Sequence, residues 1–283
     1  MRPNKETRQT MIVALDIGGT KLAAALVQGR EVLEHRQTPA GSDRRPEAIV
    51  DALWGLAEPW VARAKAVAVA CAGTVRSGRV TAPNQDTYPW IEADIQGMFR
   101  QKFGQSWVLN DADAAAWGEA RFGAGRGMSN FMFVTISTGV GSGLILNGGL
   151  IEGSEIGFTK TDGVFLELLS SGKMLDAWAV ARGWGGAAEV VAKSQTDPEA
   201  AAALDQSARR VAEKLYDAHA LLNLECVAVG GGLGLAEGYI ARVQGFLGDH
   251  LRVEPAQLGA EAPLVGVADW VETRLELELN GSI

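Results

Sequence analysis

The feature that most constrains this chain is a motif met twice: an apolar strand that runs straight into glycines and a hydroxyl. The first copy is Met11-Ile12-Val13-Ala14-Leu15, which ends on Asp16-Ile17-Gly18-Gly19-Thr20-Lys21. The second follows the apolar run 131–136 as Ser137-Thr138-Gly139-Val140-Gly141-Ser142-Gly143. Glycines let backbone N–H groups approach anionic oxygens closely, and a threonine adds a hydroxyl donor. A carboxylate at the strand tip, Asp16, suits a Mg²⁺ ion held through water. Each copy alone also reads as a β-hairpin turn, because residues 22–27 and 143–146 continue as second strands. Two copies, each opening its own half of the chain, look like a pair of jaws for a triphosphate.

At 283 residues the chain has room for two lobes, and 47% hydrophobic content supplies a core for each. A net charge of −8 argues against a nucleic-acid surface, which needs a basic stripe. Cys71 and Cys226 sit singly in apolar runs, so buried inert thiols are expected rather than a disulfide framework or a cysteine metal site. Residues 1–10 are polar and lack the apolar region of a signal peptide, and no run is long enough to cross a bilayer. A cytoplasmic protein without membrane or nucleic-acid partners is expected.

Hydrophobic periodicity predicts strands over 11–17, 22–27 and 32–38, a helix over 46–63 that starts on Pro46, and a buried strand over 66–72. A hairpin-like stretch over 77–84, a helix over 91–103 and a strand over 107–109 follow. The pattern then partly restarts, with paired strands over 131–137 and 143–146 and helices over 166–182, 187–194 and 198–222. A strand over 225–229 runs into Gly230-Gly231-Gly232-Leu233, a helix spans 235–247, and a last apolar stripe runs over 264–279. The order β-β-β-α-β-α-β resembles one lobe of the actin-like, ribonuclease-H-like ATPase fold. The expected organisation is α/β and two-lobed, with an active site in the interlobe cleft. Residues 1–109 form one lobe, with the helix at 264–283 packing back on it, and residues 110–263 form the other.

Asn110-Asp111-Ala112-Asp113 closes a strand and opens an alanine-rich helix. Asn110 is a good N-cap, and acidic residues in a first turn suit the helix dipole. For Asp113 the helix-start reading suffices. Asp111 can do more: a carboxylate placed at the cleft can accept the proton of an attacking hydroxyl. The alanines after it are expected to let this helix approach the opposite lobe closely. The third glycine cluster would leave a flat surface for adenosine, at Gly231, Gly232 and Leu233.

Taken together, residues 16–21, 110–119, 137–143 and 229–239 resemble the ROK family of bacterial sugar kinases, with a likeness running from residue 11 to about 268. That resemblance implies ATP- and Mg²⁺-dependent phosphorylation of a hexose 6-hydroxyl, with N-acetylmannosamine the expected acceptor and glucose the alternative. It implies Asp111 as general base and Gly73, Asn84, Asn110, Glu155 and Glu167 as sugar contacts. Asp16, Gly18, Gly19, Thr20, Lys21, Thr138 and Gly139 become phosphate contacts, and a homodimer is expected. One motif departs from the family pattern. Most ROK kinases carry Glu-x-Gly-His before a cysteine-rich loop, and the histidine and cysteines hold a structural zinc. Here the run is Glu155-Ile156-Gly157-Phe158, and residues 159–166 contain neither Cys nor His. No zinc is therefore expected, and Phe158 is expected to fill part of the space by packing. His35, His219 and His250 lie in unrelated contexts. A sugar-responsive repressor is a second class, disfavoured by the acidic charge and by the short stretch before the first strand. A sugar-binding protein without catalysis is a third.

Overall fold

The computed structural model describes residues 10–82 and 87–279, so Asn84 lies outside the described residues. The chain divides into two compact units, one formed by Met1–Gly118 with Glu261–Ile283 and the other by Glu119–Ala260. The division falls inside a helix that begins at Asp111, a few residues beyond the expected junction at 109/110.

Unit 1 is built on a five-stranded sheet of β1 (Met11–Ile17), β2 (Lys21–Gln28), β3 (Glu31–Pro39), β4 (Ala66–Cys71) and β7 (Ser106–Asn110), in the order β3-β2-β1-β4-β7. β1, β2 and β3 form an antiparallel meander, whereas β4 and β7 run parallel to β1. A small ribbon, β5 (Thr74–Arg76) with β6 (Arg79–Thr81), lies between β4 and β7 in sequence. Helix α1 (Pro46–Val61) buries Ile49, Leu53 and Trp60, and α2 (Ile95–Phe103) buries Phe99. These side chains join Val13, Leu15 and Ile17, alternate residues of β1, in one apolar cluster. Ile12 and Ala14, on the other face, are equally buried, and α9 (Ala262–Leu279) packs against β1, β2 and β4.

The α9 contact explains the alanines of α3 (Asp111–Phe122). Ala114, Ala115 and Ala116 are buried, and a Cβ added at Gly266 of α9 would stand 1.8 Å from the Ala114 carbonyl oxygen. A Cβ at Gly118 would stand 2.9 Å from the Ala262 oxygen. The two helices therefore meet backbone to backbone, and only glycine fits at the crossing. Trp117 Nε1 donates to Asp269 at 2.8 Å and fastens the same contact. The close partner of these small residues is thus α9 of the same unit, a correction to the partner expected from the sequence.

Unit 2 repeats the plan. Its sheet has the order β10-β9-β8-β13-β14, from β8 (Phe131–Ile136), β9 (Val140–Leu146), β10 (Gly149–Ile151), β13 (Cys226–Gly230) and β14 (Arg252–Pro255). β8, β9 and β10 are antiparallel, and β13 and β14 run parallel with β8. A short pair, β11 (Lys160–Thr161) with β12 (Val164–Phe165), precedes α4 (Leu166–Ser170) and α5 (Gly172–Val180). α6 (Ala187–Lys193), α7 (Pro198–Leu222) and α8 (Tyr239–Leu247) complete the layer whose apolar residues join the sheet in a second cluster. Glu119 is fully buried and accepts backbone N–H bonds from Ala124, Gln257 and Leu258 at 2.7–2.9 Å. One carboxylate thus ties the end of α3 to the segment after β14.

Element boundaries shift where local chemistry overrides periodicity. The second helix starts at Ile95, not residue 91, because Asp94 caps it by accepting from Gly97 N at 3.0 Å. The helix expected over 166–182 is two, since Ser171 stands in extended conformation and caps α5 through Met174 N. The helix expected from 235 begins at Tyr239, after the left-handed Gly238 (φ 76°). Among the described residues no helix is long and apolar enough to cross a membrane.

Candidate active site

In unit 1 the carboxyl ends of the parallel strands β1, β4 and β7 come to one edge, the usual place for ligands in such sheets. Asp16 pairs with Ala70 of β4, and Cys71 of β4 pairs with Asn110 of β7, so Asp16 and Asp111 flank the same strand end. Both side chains keep a little open surface within a protein-rich environment. Burial raises the Asp16 carboxyl to about 7, and the neighbouring Asp111 charge adds to the rise. Burial likewise raises Asp111, against the opposing pull of backbone N–H groups at the head of α3. Neither carboxylate forms an ion pair among the described residues. Two desolvated carboxylates with no cation beside them match what a hydrated divalent ion requires: one or two carboxylates, with substrate oxygens and waters completing its shell.

The turn after Asp16 is a hairpin turn and an open loop at once. Gly18 N donates to Lys21 O at 3.1 Å, which closes the β1–β2 hairpin, while Gly19, Thr20 and Lys21 are exposed. Tyr88 clamps this turn: its hydroxyl donates to Gly18 O at 2.8 Å and accepts from Arg44 at 3.2 Å. Sequence reasoning missed Tyr88, because nothing local distinguishes a tyrosine that reaches a turn 70 residues earlier.

Asn110 makes three bonds to the backbone. Its Oδ1 accepts from Ala112 N at 2.8 Å and Asp113 N at 3.0 Å, a cap of the kind that contributes ~1 kcal/mol. Its Nδ2 donates to Gly73 O at 3.0 Å. Gly73 has φ 129°, and a Cβ there would meet Thr81 O at 2.7 Å, so this corner demands glycine. Asn110 thereby joins the head of α3, which carries Asp111, to the end of β4. Asp113 is buried in the first turn while Asn110 does the capping.

Unit 2 gathers a second set. Val140 N donates to Glu167 Oε2 at 3.0 Å, and a Cβ at Gly139 would stand 2.4 Å from that oxygen. Ser137 O accepts from Gly172 N at 2.6 Å, and Thr138 O from Lys173 N at 3.3 Å. The loop of Thr138 and Gly139 is therefore held from below by α4 and α5. The fully buried Ser142 hydroxyl accepts from Ile156 N at 2.8 Å and donates to Ser154 O at 3.1 Å. Gly157 packs so that a Cβ would strike Val140 O at 2.0 Å. Glu155 is thus carried on a segment pressed against the start of β9, beside the same loop.

Phe158 packs at the surface of unit 2. It is 46% exposed and meets Phe165 edge to face at 5.9 Å between ring centroids. Its ring lies on the surface pair, so it does not fill an interior space. At the third cluster, Gly231 has φ 84° and a Cβ there would stand 2.5 Å from Ile136 O, which also accepts from Leu233 N and Gly234 N. Gly232 meets open space, while the Leu233 side chain is buried, so only the backbone of Leu233 is available to a ligand. Two of the histidines lie in structural contacts: His219 bonds Leu224 O, and His250 stacks edge-on with Tyr216.

Residues 12–274 match the model of the ROK family. The chain is 35% identical over 283 residues to the bifunctional enzyme NanE/NanK of Brucella melitensis, covering 93% of this chain. It spans about half, 54%, of that relative's length. It is 33% identical to an N-acetylmannosamine kinase of Haemophilus influenzae, covering 96% of this chain and 98% of the relative. Among solved structures it is similar to a ROK family glucokinase from Streptomyces griseus in complex with glucose and AMPPNP. That likeness has TM-score 0.77 and 27% identity, over 92% of this chain and 98% of the other.

Proposed function

Given that the chain belongs to the ROK family, we propose that it is a sugar kinase that transfers the γ-phosphoryl group of ATP to the 6-hydroxyl of N-acetylmannosamine. The observation that carries this reading is Asp111: a carboxylate raised by burial, without a cationic partner, at the head of a helix beside Asp16. A base with a raised pKa is suited to take a hydroxyl proton near neutral pH. As the hydroxyl oxygen bonds to the γ-phosphorus, Asp111 accepts its proton and ADP leaves. Asp16 would hold Mg²⁺, which neutralises phosphate charge when bound. Thr20, Lys21, Thr138 and Gly139 would contact phosphates, and the backbone of residues 231–233 would line the adenosine. Glu155 would orient sugar hydroxyls, and fixed hydrogen bonds of this sort make the attacking oxygen effectively intramolecular.

The choice of acceptor follows the Haemophilus influenzae and Brucella melitensis relatives, the first of which this chain matches almost end to end. Glucose is the alternative, from the Streptomyces griseus neighbour. The test is an ADP-release assay across N-acetylmannosamine, glucose, mannose and N-acetylglucosamine with ATP and Mg²⁺. The highest kcat/KM on N-acetylmannosamine supports the assignment. A higher value on glucose replaces the acceptor, and sugar binding with no turnover on any of the four overturns the kinase reading.

A further inference from the structure

The β5–β6 ribbon carries a second polar face that none of the roles above uses. Its register sets Thr74 against Thr81, Val75 against Val80 and Arg76 against Arg79. Successive side chains on a strand alternate between faces, so Thr74, Arg76, Arg79 and Thr81 share one face and the valines the other. Val80 is fully buried, and with Val75 it anchors the ribbon to the unit 1 core.

This face is held rigidly. The connecting residues Ser77 (φ 50°) and Gly78 (φ 77°) both have positive φ, as a two-residue type I′ turn requires. Gly78 O accepts from Gln96 N at 3.1 Å, and Val80 exchanges two 2.9 Å backbone bonds with Ala93. The face opens on a cavity of about 220 Å³ lined by Thr74, Arg76, Arg79, Thr81 and Glu92. At ~30 Å³ per water that is room for one small polyatomic anion with a short hydroxylated arm. Arg76 and Arg79 stand directly opposite each other, an arrangement that repels. Among the described residues neither guanidinium has an acidic ion-pair partner. Thr81 Oγ1 accepts from Glu92 N at 3.1 Å, which leaves its hydroxyl proton for a ligand.

We propose that this face is a binding site for a small phosphate monoester that bears hydroxyl groups. Arg76 and Arg79 take the phosphoryl oxygens in the forked geometry guanidinium groups favour. Thr74 and Thr81 add hydroxyl donors. The Glu92 carboxylate, which would repel a bare dianion, accepts a hydroxyl from the ester's organic arm and so selects the ester over free phosphate. This inference does not depend on the kinase reading, because none of the five residues is given a role in it.

Amide NMR titration of the full chain tests it, with a hexose 6-phosphate and, separately, inorganic phosphate as probes. The amides of residues 74–81 should shift saturably with the ester and more weakly with phosphate. R76Q/R79Q should weaken ester binding at these amides by about tenfold or more, with an unchanged melting temperature showing that the variant folds. E92Q should have opposite effects on the two probes, weakening the ester and tightening inorganic phosphate. Shifts that never saturate, an unaltered midpoint in R76Q/R79Q, or equal affinity for ester and phosphate would each overturn the proposal. Shifts at Gly18, Gly19, Thr138 and Gly139 report the candidate active site separately, so the two readings fail independently.

Discussion

Units 1 and 2 share a strand plan yet differ in what stands at the strand ends. Each sheet is an antiparallel meander of three followed by two strands parallel to the first. In each, the first hairpin turn carries glycine and threonine. Unit 1 places Asp16 at the penultimate position of β1 and Asp111 immediately after β7, both raised by burial. In unit 2 the penultimate residue of β8 is Thr135 and β13 ends in glycines. One of its carboxylates, Glu167, accepts a bond from the loop backbone at Val140 N. The same topology thus serves ionisable chemistry in one unit and backbone presentation in the other, and function follows the residues grafted on the plan rather than the plan.

The sharpest way to break this contrast is at Asp111. Asp111→Asn should lower kcat by ~10²–10⁴-fold while leaving sugar affinity close to wild type. Full turnover in that variant would remove the chemical distinction of unit 1.

Asp16 comes next. A carboxyl raised from 3.8 to about 7 on folding binds its proton more tightly in the native state. Stability is therefore fully present at low pH and falls as pH rises from about 4 to 7. Asp16→Asn should relieve this in metal-free protein, by up to ~4 kcal/mol above pH 7 and by little near pH 4. Melting curves at several pH values check it, and the gain should shrink when Mg²⁺ stabilises the wild type. A pH-independent difference would show that Asp16 is not the strained group.

A smaller effect is expected at the helix crossing. Gly266→Ala should cost about 1–3 kcal/mol and also lower kcat, because α3 must shift from Ala114 onward. Loss of stability with unchanged kcat would separate α9 from the placement of Asp111. The smallest effect sharpens the role of Glu167. Glu167→Gln weakens its bond to Val140 N and should raise KM for ATP about tenfold or less, with a lesser change in KM for sugar. The reverse ratio would return Glu167 to the sugar.

Much of this was legible in the residues, and what was not has physical reasons. Continuous apolar runs such as 66–71 and 226–229 announce buried strands, and Pro198 with Asp197 before it marks the start of α7. A carboxylate at the tip of one apolar strand and another directly after a second strand pointed to Asp16 and Asp111. Boundaries failed where a side chain reset them, as Asp94 does for α2 and Ser171 for α5. The Tyr88 clamp and the Glu167–Val140 bond were hidden because their partners lie far along the chain. Gly118 and Gly266 read as weak helix residues by propensity alone, and only tertiary contact shows that larger side chains cannot stand there.

The crossing of α3 and α9 also sets an order of events during synthesis. The stretch that builds unit 2 lies wholly between Gly118 and Glu261, so the ribosome releases it before Gly266 emerges. The unit 1 sheet therefore stays half covered until α9 follows unit 2 out, and it is the turns of α9 around Gly266 that pack against α3, the helix headed by Asp111.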